Sequence, residues 1–174
     1  MKSARSPWVL LAFRIPREPS TPRIAVWRKL KRVGAVQLLD GLVALPNDRR
    51  NREQLDWIAQ DITDAGGEAK IWIGETSSAE DERELVDRMQ FAVAADYQRV
   101  IAEAEAASSQ PPGRRRRSLA RLRREMRRVR ERDYFPPPER ETAQQAVDAL
   151  GVSLEDVSAN GAPAAARQTR KLQP

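Results

Sequence analysis

Eleven arginines fall within residues 113–132, against two glutamates. They open with the run Arg114, Arg115, Arg116 and Arg117 and continue through Arg121, Arg124 and Arg128. Guanidinium groups at this density neutralise phosphates. Each displaces a condensed counterion from a nucleic acid, and the planar fork can also pair with guanine edges. The partner this points to is DNA. The alternative is an arginine-rich solvated face packed beside acidic neighbours such as Glu80 to Glu84, Glu103 and Glu105. A membrane partner fits less well, because no bulky aromatic lines the apolar side of the segment.

A second group, Arg14, Arg17 and Arg23, brackets a proline-rich turn ahead of an expected helix. Backbone N–H groups at a helix start favour negative charge, so these arginines are candidates for an oxyanion pocket taking a tetrahedral anion. The competing reading is a set of exposed arginines pairing with Glu18 or Asp40.

Other chemistries are narrowed by absence. The chain has no Cys and no His. That removes disulfides, thiolate nucleophiles, imidazole or thiolate metal sites and the usual near-neutral general base. Asp61 with Asp64, and Glu80, Asp81, Glu82 and Glu84, offer oxygen ligands for magnesium, but no second acidic cluster lies near a strand end to complete a site. They read as solvated helix faces. With no glycine-rich phosphate loop and no serine triad, the expectation is a non-enzyme with no catalytic residues, no metal and no cofactor.

The elements that must position the arginines follow from periodicity. Trp8 to Phe13 is an apolar run of strand length, read as a central strand buried on both faces. Thr21 is placed to cap a helix with Pro22 at its first helical position, running to about Val33 and closed by Gly34. Val36 to Leu39 and Leu42 to Leu45 flank Asp40-Gly41, the chemistry of a type I′ hairpin turn. Asn51 to Ala65 has helical spacing, and Ala69 to Ile73 is a further strand. The order β-α-β-β-α-β predicts an α+β, ferredoxin-like fold, an antiparallel sheet with two helices on one face.

A third helix, capped by Ser77 or Ser78 with Glu80 or Asp81, runs to about Ala107. At roughly 45 Å it outruns the sheet, so its second half projects or pairs with another element. After a linker at 108–113, Leu119, Leu122, Met126 and Val129 recur at helical spacing among the arginines. This basic amphipathic helix is short and should pack on the third helix or on a partner chain. Glu141 to Leu150 makes one more short helix. The expected plan is a ferredoxin-like domain with the long helix over 7–107, a basic-helix appendage over 113–150 and a disordered tail over 151–174. Trp8, Trp27, Trp57 and Trp72 are assigned to core packing. Lys2 and Arg5 precede an apolar run too short for a signal sequence or a span, which points to the cytoplasm.

The residues also carry a resemblance. "WVLLAFRIPREPSTPRIAVWRKLKRVGAVQLLDGLVALP" (Trp8 to Pro46), "DAGGEAKIWI" (Asp64 to Ile73) and "RDYFPPP" (Arg132 to Pro138) resemble the N-terminal domain of the chromate-resistance regulator ChrB. The resemblance runs over most of residues 7–150. It implies a bacterial cytoplasmic regulator that binds promoter DNA and responds to chromate, with sulfate a similar anion, or else a non-DNA interaction module or accessory in chromate detoxification. Longer members carry a C-terminal domain that this sequence does not reach, so the sensing or regulatory output is expected to be split off or missing. The element order also resembles the middle domain of the phenylacetate-pathway repressor PaaX and a small ferredoxin-like CRISPR-adaptation nuclease. That nuclease has an aspartate at the end of its first strand, where this chain has Phe13-Arg14-Ile15-Pro16. Its dimerisation through the sheet implies a homodimer here.

Overall fold

The computed structural model describes residues 7–160. β1 (Trp8–Arg14), α1 (Ser20–Val33), β2 (Val36–Leu39), β3 (Leu42–Pro46), α2 (Arg49–Asp64) and β4 (Glu68–Gly74) follow in the expected order. The strands lie side by side as β2-β3-β1-β4, every pair antiparallel, which is the ferredoxin-like α+β arrangement. β1 is central because its apolar residues serve both faces. Val9 and Leu11 sit opposite Leu45 and Val43 and are fully buried with Leu30, Leu55 and Ile62 of α1 and α2. Phe13 shares that face and meets the Trp27 ring edge-on at 5.7 Å. Trp8 points the other way, where its Nε1 donates to Glu82 of α3 (Ala79–Ser108) at 2.8 Å.

α3 enters both cores of the molecule. Leu85 and Met89 join the sheet core, whereas Val93, Tyr97 and Val100 pack with α4 (Pro112–Arg130) and α5 (Glu139–Asn160). The helix starts at the Ser78 cap, whose hydroxyl accepts from the Asp81 N–H at 3.0 Å. The basic helix spends its apolar stripe, Leu119, Leu122, Met126 and Val129, against α3 and α5 within the chain itself.

Several expectations need correcting. Thr21 does not cap α1: the helix begins at Ser20 after Pro19, whose ring fixes an extended entry, and Pro22 is the third helical residue and not the first, a position where the missing N–H also has no helical partner. The Asp40-Gly41 turn is not type I′, because only Gly41 has positive φ (76°). A register shift between Gln37 and Leu39 supplies the local twist instead. A Cβ on Gly41 would lie 2.3 Å from the Phe13 carbonyl oxygen, so the turn packs flush on the end of β1.

α5 continues past Leu150 to Asn160, through the first part of the expected tail. Gly151 is buried against α4, its Cβ position 3.4 Å from Arg123 Nη2, and so serves a helix contact where the sequence suggested a stop. The rest of that tail, like Lys2 and Arg5, lies outside the described residues. Trp57 and Trp72 are 75% and 61% exposed, not core. Trp57 sits on the solvent side of α2, beside the buried Ile58, and Trp72 faces outward from the edge strand β4. Among the described residues no helix is long and apolar enough to cross a membrane.

Candidate nucleic-acid interface

With its apolar stripe turned inward, α4 must turn its arginines outward. Arg114, Arg117, Arg121, Arg124 and Arg128 are spaced by three and four residues, which places them on one side of the helix, and all five are exposed. The stripe is about 21 Å long at the usual helical rise. Arg121 is paired with Glu103 of α3, and Arg128 lies 3.6 Å from Glu125 one turn back. These pairs are solvent-exposed and worth little individually, so they orient the guanidiniums without withdrawing them from a ligand. Arg114, Arg117 and Arg124 have no carboxylate partner among the described residues.

Arg115 differs from its neighbours in the run. It is half-buried and donates to the Gln110 carbonyl at 3.2 Å, tying the start of α4 to the end of α3. Sequence alone treats four consecutive arginines alike, but the helical rotation turns this one toward the bundle.

Arg17 and Arg23 do not line the cavity beside Arg14. Arg14 ends β1 directly opposite Glu68 of β4 and pairs with it at 3.1 Å, both side chains largely exposed. Its expected partners were Glu18 and Asp40. The shallow cavity beside it, about 500 Å³, contains Arg14 and Glu68 but neither Arg17 nor Arg23. Both of those are exposed. Among the carboxylates considered for magnesium, Asp61 pairs with Lys29, Asp64 accepts from Gln60 at 2.7 Å, and Glu82 accepts from Trp8 and Thr76.

Composition did not point to the connection after α4. Arg132 pairs with Asp96 of α3, each side chain less than one-fifth exposed. Asp133 is buried and accepts from the Tyr97 hydroxyl at 2.8 Å, with Arg140 at 3.4 Å. Burial, reinforced by Asp133, pushes the Tyr97 hydroxyl well above the ordinary tyrosine range. Tyr134 reaches back to the sheet domain, and Phe135 meets the Trp8 ring at 6.2 Å. The one hint in the sequence was the motif Arg132 to Pro138.

The model of the family described as "Protein ChrB, N-terminal" matches residues 23–110. Protein ChrB of Cupriavidus metallidurans is 31% identical over 138 residues, covering 77% of this chain and 42% of that protein. The chain belongs to the ChrB N-terminal family. It thus spans about two-fifths of the curated ChrB protein it matches. The ChrB family model runs from the first turn of α1 to the linker after α3, so α4 lies beyond the residues it matches, and Arg14 and Arg17 lie before them.

Proposed function

We propose that this ChrB family member is a DNA-binding transcriptional regulator associated with chromate resistance, without catalysis of its own, that lays the outward side of α4 along the phosphate backbone. One observation carries the reading. The five-arginine stripe remains exposed after the apolar side of the same helix has been consumed inside the chain. A helix needed only for packing has no use for five cations on its solvent side, and their mutual repulsion is relieved by a polyanion. The effector in this reading is chromate or a similar oxyanion such as sulfate. The regulator acts in the cytoplasm as a homodimer, for which the exposed Trp72 on the outer sheet face offers an apolar contact.

The test is fluorescence anisotropy with a duplex from the promoter of the chromate-resistance genes. Changing Arg114, Arg117 and Arg124 together to Ala should weaken binding and flatten its salt dependence. Unchanged affinity at matched salt refutes the reading. Adding chromate or sulfate to the wild-type complex should shift the affinity if an oxyanion is the effector.

A further inference from the structure

A groove of about 700 Å³ opens between the sheet domain and the helical bundle. This is within the range, roughly 300–1,000 Å³, of sites that enclose small ligands. Its cations come from three places in the chain: Arg28, Lys31 and Arg32 near the end of α1, Arg88 and Arg99 on α3, and Arg132 after α4. Asp96 is the one carboxylate among the lining residues.

The charges do not cancel. Arg99 and Arg132 share Asp96. Arg88 donates to the Gln37 carbonyl, which satisfies its hydrogen bond and leaves its charge, and its one carboxylate neighbour, Glu84, is 3.9 Å away on the adjoining turn. Arg28, Lys31 and Arg32 have no carboxylate partner among the described residues. The α1 C-terminus contributes a partial negative charge of about half a unit, too little to balance the cations gathered there.

The walls are built to keep this space open and the guanidiniums in place. Gly34, Ala35 and Ala92 present almost no side chain to the groove. A Cβ on Gly34 would lie 2.7 Å from the Cβ of Arg132, so the glycine lets Arg132 stand where Asp96 fixes its fork. Guanidinium forks held by a shared carboxylate match tetrahedral oxyanions in geometry as well as charge.

We propose that this groove, and not the turn between β1 and α1, is an anion site that takes phosphate-type tetrahedral oxyanion groups, carried by a small polyanion or by a nucleic-acid backbone. The site does not depend on α4 contacting DNA.

Calorimetry of the full chain with inorganic pyrophosphate, and anisotropy with a DNA duplex, separate the two sources. Arg28→Ala with Arg32→Ala removes two exposed groove cations, and Arg114→Ala with Arg117→Ala is the control on α4. Circular dichroism melts verify that each variant is folded. If the ligand is small, wild type binds pyrophosphate, the groove variant loses about tenfold or more, the factor one charge-assisted hydrogen bond carries, and the α4 control does not. If the ligand is a backbone, pyrophosphate does not bind and the groove variant loses DNA affinity by a similar factor. The proposal is overturned if the groove variant keeps wild-type affinity for both, or if wild type binds neither. Loss of DNA affinity in the α4 control, with the groove variant keeping wild-type affinity for both pyrophosphate and DNA, would support the α4 reading and refute the groove.

Discussion

The Tyr134 hydroxyl lies 2.8 Å from the side-chain oxygen of Asn51, a residue 83 positions earlier that is completely buried at the start of α2. The same hydroxyl is 2.8 Å from the Val33 carbonyl, so one proton serves two acceptors where α1 ends and α2 begins. Asn51 is otherwise fully used: its side-chain amide donates to the Pro46 carbonyl and to Asp48, and its N–H donates to the Asp48 cap. Tyr134 therefore fastens the helical bundle to the sheet domain through a buried polar cluster. Tyr134→Phe leaves a buried acceptor unpaired and is expected to cost about 1–3 kcal/mol in urea unfolding. A loss below 0.5 kcal/mol would show that the contact is not made in solution.

The same residue sets a pH dependence. Burial pushes the Tyr134 hydroxyl up to about 12 from the ordinary 10.0. The raised value means that the folded state favours the neutral phenol, so its contribution is fully present below pH 10 and is lost as pH rises through about 12. Tyr134→Phe lacks this group. The stability gap between wild type and the variant should narrow between pH 9 and pH 11.5, whatever other groups titrate in both proteins. Parallel curves would refute the assignment.

The exposed stripe on α4 predicts a salt slope. If Arg114, Arg117 and Arg124 each neutralise one phosphate, changing all three to Ala should reduce the slope of log affinity against log salt by about 2.7. Because the three are solvent-exposed, the melting temperature should hardly move. An unchanged slope alongside weakened binding would mean that these residues act by some route other than counterion release.

Gly34 offers a test of the groove wall. It has φ of 78° and stands against Arg132 and the Tyr134 ring. Gly34→Ala combines a left-handed backbone penalty with a close contact, for an expected loss of about 1–3 kcal/mol in thermal or urea unfolding. Gly66→Ala, at φ 77° with nothing within 4 Å, is the control that isolates the backbone penalty and should cost less.

The sheet domain was legible because its signals are local. Apolar runs of strand length, Gly34 after the first helix and Gly66-Gly67 after the second bring out six elements in order, and their order determines the fold. The periodicity of α4 likewise separated Leu119, Leu122, Met126 and Val129 from the arginines. What stayed hidden depends on contacts distant in sequence. Nothing near Tyr134 announces that its partners are Val33 and Asn51, and the groove exists only because the ends of α1 and α4 meet the middle of α3. Trp57 and Trp72 show the same limit from the other side. A pattern tells which way a side chain faces but not whether another element arrives to cover it.

α3 runs without Gly or Pro from the sheet edge to the far end of the bundle, passing from one core to the other between Met89 and Val93. Any tilt at the point where it passes the cationic groove would therefore be carried to its far end as by a lever, with its fulcrum there. From Met89 to Ser108 the arm is roughly 28 Å, so a tilt of about 5° at the fulcrum moves its far end by roughly 2.5 Å. The start of α4 rides on that end, held there by Arg115. A change too small to disturb packing where the arm pivots would reach the arginine stripe as most of one nucleotide step along a DNA strand, about 3.4 Å.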